Sequence, residues 1–267
     1  MNKAILISFF SFCMFACSSK PQKNYDVTTL QTISYALLDL ADRKRQLEQY
    51  EQALMLYREA ESYALKRNDR MTAGLSKLKR AAIHIQLGQN DLAQGLIKEV
   101  ENTILYEAVP LDGAVVLLKA QLLKANGEPE SALQLLFTLE TQYKDNTEKR
   151  NYYRMVAWSY MPSKFELTEI EQSVSELSAL KKQHKLNNIE IYSYAIYHYT
   201  RYLAEQNNIL AETYIPIAID HFSTIELSNK IQKCYELAAQ YYTRTNQPKK
   251  AEYHQQQADH LRTLLQD

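Results

Sequence analysis

The histidines of this chain are spaced too irregularly to form a metal site on one helix. No two of them lie three or four residues apart, the spacing that places two ligands on the same helical face. His254 and His260, which are six residues apart, point to different faces of a helix. With five glycines in the whole chain, a glycine-rich phosphate loop is not expected either. The sequence therefore predicts neither a bound metal nor a cofactor.

Nucleophiles and acid–base groups also lack the local partners that catalysis needs. Glu166, Glu169, Glu171 and Glu176 lie close together in sequence. Carboxylates on a helix are mostly solvated or paired with lysines, and a catalytic pair cannot be assigned from spacing alone. Cys234 has no partner motif, and we interpret it as a buried, inert thiol. We therefore expect that the chain is not an enzyme.

Tyrosine is the unusual residue type, with 20 copies in the chain. The segment 189–205 carries five of them, and they alternate too quickly to share one helical face. Tyr194 and Tyr197, three residues apart, do share a stripe. Two interpretations stay open: the tyrosines fill gaps between helices with their hydroxyls reaching water, or they form an aromatic wall along a binding groove.

The elements that would position these side chains are predicted to be helices. The chain has only five glycines and six prolines, too few for the many tight turns of a sheet protein. Leu, Ala, Glu, Gln and Lys, which enter helices at little cost, fill the sequence instead. Basic and acidic residues both number 31, so the net charge is zero. A whole-chain attraction to nucleic acid is therefore not expected.

The first residues have the features of a targeting segment. A short positive start is followed by residues 4–16, which are apolar apart from two serines and are too short to span a membrane. Ala16 then precedes Cys17, and this pair resembles the cleavage and lipidation site of bacterial lipoproteins. Met14 and Phe15 depart from that family's pattern. The alternative is an ordinary secretory signal in which Cys17 has no special role.

The resemblance implies that residues 1–16 are removed and that Cys17 carries the lipid. Residues 17–28 would then be a polar tether, and residues 29–267 the folded domain. Ser18 stands where the family's inner-membrane retention signal has Asp. The expected location is therefore the periplasmic face of the outer membrane, reached through the lipid anchor.

A landmark recurs along the folded part at about forty residues. A small or polar turn is followed, five or six residues later, by an alanine inside an apolar helix. The gaps between successive copies are 40, 39, 79 and 40 residues, and the long gap is two periods with its midpoint near Gln172 and Ser173. About six copies therefore fit the chain. The alanines are Ala53, Ala93, Ala132, Ala211 and Ala251.

The repeat resembles the tetratricopeptide (TPR) family, although its period is longer than that family's roughly 34 residues. Residues 145–185 fit poorly, since Met161-Pro162 interrupts one helix, and Pro216 falls inside another. The resemblance implies an all-α, right-handed solenoid of about six antiparallel helical hairpins, with a compact helix bundle as the alternative. The best-matching copy contains Tyr235, Ala238, Ala239, Tyr242, Asn246, Ala251 and Ala258.

In TPR proteins the first helix of each hairpin faces a concave groove that binds a partner. Carried onto this chain, that implies a set of polar candidates, which could equally be ordinary solvated positions; the tyrosine stripe adds two more. The candidate partner-binding residues are Arg45, Gln121, Lys124, Tyr194, Tyr197, Gln240 and Arg244.

The predicted function is that of a lipid-anchored periplasmic adaptor, which binds a protein partner in the assembly of the envelope or of surface appendages. Two alternatives stay open. The chain is a binding module for peptidoglycan or another envelope glycan, with tyrosines and Trp158 stacking on sugars, or it is the regulatory partner of an envelope enzyme. The partner and the oligomeric state are not determined by the sequence.

Overall fold

The computed structural model describes residues 29–266, and this part of the chain is all-helical, without a β-strand. Twelve α-helices follow one another, with one short 3-10 helix between the seventh and eighth. The helices are α1 (Thr29–Gln46), α2 (Tyr50–Lys66), α3 (Arg70–Gln86), α4 (Asn90–Glu107), α5 (Asp112–Ala125), α6 (Pro129–Gln142), α7 (Thr147–Tyr160), α8 (Leu167–Lys182), α9 (Ile189–Glu205), α10 (Ala211–Thr224), α11 (Ser228–Arg244) and α12 (Pro248–Gln266).

Each helix packs against the next one along the chain. Odd-numbered helices also touch one another, α1 with α3, α3 with α5, α7 with α9 and α9 with α11. The odd-numbered helices therefore form one layer and the even-numbered helices cover it. This neighbour-to-neighbour packing agrees with an array of helical hairpins, in which each hairpin covers the apolar stripe of the one before it.

The repeat landmark occupies the same place in most hairpins; the exception is Ala211, the first residue of α10. Ala53, Ala93, Ala132 and Ala251 are each the fourth residue of an even-numbered helix, and all are buried. The copy missing from the alanine series is Ile170, the fourth residue of α8, which is fully buried. The predicted midpoint at Gln172 and Ser173 was therefore wrong by two or three residues. A branched side chain replaces the small one, and spacing counted on alanines could not locate it.

Left-handed residues end most of the helices and turn the chain into the next one. Gly88 and Gly127 have φ values of 71° and 85°, as expected for residues without a Cβ. Asn68, Asn207 and Asn246 fill equivalent junctions, since asparagine tolerates this conformation better than most residues. Four junctions use residues that adopt it less readily: Glu48, Ala108, His184 and Glu226.

The poorly matching segment 145–185 still forms one hairpin. α7 ends at Tyr160, and Pro162 opens the 3-10 helix that leads to α8, so the predicted interruption at Met161-Pro162 is confirmed. Glu148, buried at the start of α7, accepts hydrogen bonds from the backbone N–H groups of Asn187 and Asn188 at 2.8–3.2 Å. This carboxylate fastens the loop before α9 to the preceding hairpin.

Candidate partner-binding surface

The C-terminal end of α1 lies against helices that are far away in sequence. Arg45 Nη2 donates to Glu190 Oε1 on α9 at 2.8 Å, and Gln46 Nε2 donates to the same oxygen at 2.6 Å. Asn229 Nδ2 on α11 donates to the backbone carbonyl of Gln46 at 2.9 Å. These contacts join residues 144 to 183 positions apart. The layer of odd-numbered helices therefore curls toward itself, and these helices line its inner side.

A group of cations and aromatic rings lies on this inner side, and we call it the inner cluster. It consists of Lys124 from α5, Tyr160 from α7, and Tyr194, His198 and Arg201 from α9. Lys124 Nζ sits 4.1 Å from the centre of the Tyr160 ring, within the range of a cation–π contact. The rings of Tyr194 and His198 lie 4.1 Å apart. Three separate helices therefore supply the surface.

The charges of the inner cluster are predominantly positive. The pKa of His198 falls to about 3, first because burial desolvates the imidazolium and then because Arg201, Lys124 and Lys230 repel it. Burial and the nearby Arg201 also lower the pKa of Lys124. Among residues 29–266, Lys124 forms no ion pair with a carboxylate. The cluster thus holds a neutral imidazole beside cations that are not fully balanced.

The tyrosines of this surface act as neutral hydrogen-bonding groups. Burial raises the pKa of Tyr194 to about 12, and Ser159 Oγ lies 2.6 Å from its hydroxyl. Burial also raises the pKa of Tyr152 and Tyr160 well above the usual range. All three rings nevertheless remain partly exposed. These rings are therefore largely desolvated while part of their surface stays accessible.

The structure brings four of the predicted partner-binding residues together. Lys124 and Tyr194 belong to the inner cluster. Tyr197 lies beside it, with its ring 5.5 Å from that of His198. Arg45 reaches the same side of the array through its ion pair with Glu190. A fifth predicted residue, Gln121, is half-buried on α5, one turn before Lys124.

The other two predicted residues lie on a different surface. Gln240 and Arg244 border a shallow depression between α11 and α12. Arg244 Nη2 donates to the carbonyl of Ala204 at 2.8 Å, and its Nε donates to Asn207 Oδ1 at 2.9 Å. This arginine therefore caps the end of α9, where cations stabilise the unpaired carbonyls.

Sequence reasoning missed Tyr160, His198 and Arg201. Arg201 is seven residues after Tyr194 and four after Tyr197, so helical spacing already placed all three on one stripe of α9. The pairing of that stripe with Tyr160 and Lys124 depends on which helices neighbour each other, and no local pattern contains it.

The tyrosines of helix α9 divide between the core and the partly exposed inner side. Tyr192 and Tyr199 are buried in the core, at 3% and 0% exposure. Tyr194 and Tyr197 are half-buried and face the inner side. Trp158 is buried against Tyr202, with ring centres 4.9 Å apart. That tryptophan is therefore not accessible for stacking on a sugar.

The described part of the chain contains neither a helix that could span a membrane nor a cluster of metal-binding side chains. Between positions 29 and 266, no helix combines the length and the apolar character that crossing a bilayer requires. The described residues also contain no group of three or more His, Cys, Asp or Glu side chains that could hold a metal ion. Cys234 is buried, and desolvation raises the pKa of its thiol to about 12. The predicted lipidation site, Cys17, lies outside the described residues.

No protein-family model, curated protein or solved structure matches this chain.

Proposed function

We propose that this protein is a lipid-anchored scaffold of the bacterial cell envelope, which holds a protein partner against the inner side of its helical array. The anchor is Cys17, and the site of action is the periplasmic face of the outer membrane. In this proposal the hairpins form a right-handed, TPR-like solenoid. The chain acts through geometry, because the array is rigid and a few side chains supply most of the affinity.

The observation that carries this proposal is the inner cluster. Lys124 is partly desolvated and has no carboxylate partner among residues 29–266, whereas the nearby Arg201 pairs with Glu205 at 3.5 Å. Desolvated charges without full compensation favour an incoming opposite charge. Tyr160 and Tyr194 add accessible aromatic surface, which is common at protein interfaces. This combination fits an acidic segment of a protein better than it fits a neutral glycan.

The anchor is tested by labelling cells with a clickable palmitate. We expect label and outer-membrane recovery for the wild-type protein, and the loss of both for Cys17→Ala. Cys13→Ala, which alters the other cysteine of the leader, is the matched control and should keep both. A wild-type protein that is unlabelled and is recovered from the soluble periplasm would show that the chain is secreted without a lipid.

The partner surface is tested by photo-crosslinking in living cells. A photoreactive residue at position 124 should capture an envelope protein, whereas one at Lys98, an exposed lysine on α4, should not. Arg201→Glu should reduce the adduct at position 124 by about tenfold or more, since it reverses one of the charges that attract the partner. Equal adducts at positions 124 and 98, or an adduct insensitive to Arg201→Glu, would contradict the proposed surface.

A further inference from the structure

The turn between α1 and α2 binds to α11 in the manner of a peptide ligand. Three successive residues make different kinds of contact. The backbone carbonyl of Gln46 accepts a hydrogen bond from Asn229 Nδ2 at 2.9 Å. Leu47 packs against the apolar core that joins α7 to α12. Glu48 Oε1 accepts hydrogen bonds from Lys233 Nζ at 2.5 Å and Lys230 Nζ at 3.4 Å.

This surface of α11 is continuous with the inner cluster. Lys230 Nζ lies 5.3 Å from the centre of the Tyr197 ring. Lys230 is also one of the cations that lower the pKa of His198. An acidic segment lying along the inner side would therefore reach Lys230 and Lys233 as well as Lys124. In this structure Glu48 already accepts hydrogen bonds from Lys230 and Lys233.

We propose that Asn229, Lys230 and Lys233 form a recognition site for a segment in which an apolar residue precedes an acidic one, and that the chain's own residues 46–48 occupy it as an internal competitor. This inference deepens the proposed function and rests on it. A partner segment with an apolar–acidic pair replaces the turn, and the turn therefore raises the partner concentration needed for binding.

The contacts of the turn are suited to release. The side chains of Lys233 and Glu48 are 37% and 36% exposed, and ion pairs this accessible are weak and are screened by salt. Glu48 has a φ of 64°, a conformation that glycine or asparagine adopts at lower cost. The carboxylate is thus presented to α11 at the expense of backbone strain, which contact with the two lysines offsets.

The test uses the purified full-length chain and a fluorescent peptide of residues 46–50 supplied in trans, which contains Glu48 and no basic residue. The wild-type protein should bind the peptide poorly, because its own turn competes at a high effective concentration. Glu48→Lys should bind at least tenfold more tightly, since repulsion from the two lysines displaces the internal turn. The matched control is Glu51→Lys, an exposed position at the start of α2, which should behave like the wild type.

A second substitution distinguishes specific recognition of the peptide from a general loosening of the fold by Glu48→Lys. Adding Lys233→Glu to Glu48→Lys restores an opposite-charge pair within the chain and repels the peptide, so binding should return to the low wild-type level. If Glu48→Lys does not fold, hydrogen exchange of residues 228–236 in the wild-type protein replaces it. That exchange should accelerate as salt is raised.

Two results would overturn the inference. One is a folded Glu48→Lys protein that binds the peptide no better than the wild type, and the other is an exchange rate at residues 228–236 that is independent of salt. Either result would show that the contact between the turn and α11 is structural and does not compete with a ligand. The peptide belongs to this chain, so the outcome does not depend on the lipid anchor or on an envelope partner. Peptide binding without crosslinking at position 124 would remove the proposed partner surface and leave the internal contact intact.

Discussion

At the scale of the residue, two histidines, the buried His221 and the half-buried His198, stand out because they are held neutral. His221 is fully buried, and its Nε2 lies 2.8 Å from Ser193 Oγ. Desolvation, followed by repulsion from Lys181, lowers its pKa to about 4. His198 in the inner cluster has a pKa near 3 for similar reasons. Neither histidine can accept a proton easily while the protein stays folded.

These histidines make stability fall in mildly acidic solution. The unfolded chain takes up protons near the ordinary histidine pKa of about 6.5, whereas the folded chain does not, so the free energy of unfolding falls below that pH. The loss continues down to the folded-state pKa. At pH 5 each of the two histidines should lower the free energy of unfolding by roughly 2 kcal/mol relative to pH 7.5. Denaturant unfolding at the two pH values measures this.

His221→Gln provides the check, because glutamine keeps polar atoms at this site and does not titrate. Its loss of stability between pH 7.5 and pH 5 should be smaller than that of the wild type by roughly 2 kcal/mol. His260→Gln, an exposed change on α12, is the control for replacing a histidine at the surface. If the wild type and His221→Gln lose stability in parallel, His221 does not contribute to acid sensitivity.

At the scale of the element, the junctions between helices depend on left-handed residues. Ala108 ends α4 with a φ of 52°, although its Cβ disfavours this conformation. Gly88 ends α3 with a φ of 71°, and an added Cβ there would meet no atom within 4 Å. The two sites differ in residue type and share a backbone conformation. Substitutions at both therefore report the cost of that conformation.

Ala108→Gly should raise the free energy of unfolding by about 0.5–1 kcal/mol, because it removes the left-handed penalty but adds freedom to the unfolded chain. Gly88→Ala should lower the free energy of unfolding by about 1 kcal/mol. The added Cβ meets no neighbouring atom and only disfavours the left-handed backbone conformation. Thermal or urea unfolding of the two single variants measures both effects. Two changes of the same sign would mean that contacts at the junctions outweigh the backbone conformation.

The elements themselves were largely predictable from the sequence. Scarce glycine and proline indicated helices, and the forty-residue spacing of buried alanines placed five of the six even-numbered helices to within a turn. Ile170 escaped the alanine count because its position needs a buried apolar residue and does not require a small one. Turn residues such as Glu48 and Ala108 also escaped, since neither is typical of a left-handed junction.

At the scale of the whole molecule, the sequence predicted which helices form the inner layer, but it did not predict how far the array curls. The order of hairpins implied that odd-numbered helices face one side, which is why Arg45 and Lys124 were candidates, whereas Tyr194 and Tyr197 were candidates because they share a stripe of one helix. Gln240 satisfied the same rule and lies elsewhere, on the depression between α11 and α12. How far the array curls is set by the sum of many small packing angles, and no short sequence pattern records that sum.

The contact between Glu48 and α11 also bears on the order in which parts of the chain fold. Contacts between successive hairpins are local, whereas those of Glu48 with α11 span 182 and 185 positions. Local contacts form quickly and distant ones form late. The first hairpin precedes residues 228–244 in the chain, so the turn after α1 can form before α11 is available to contact it. The state in which Glu48 contacts α11 therefore needs no outside ligand to form.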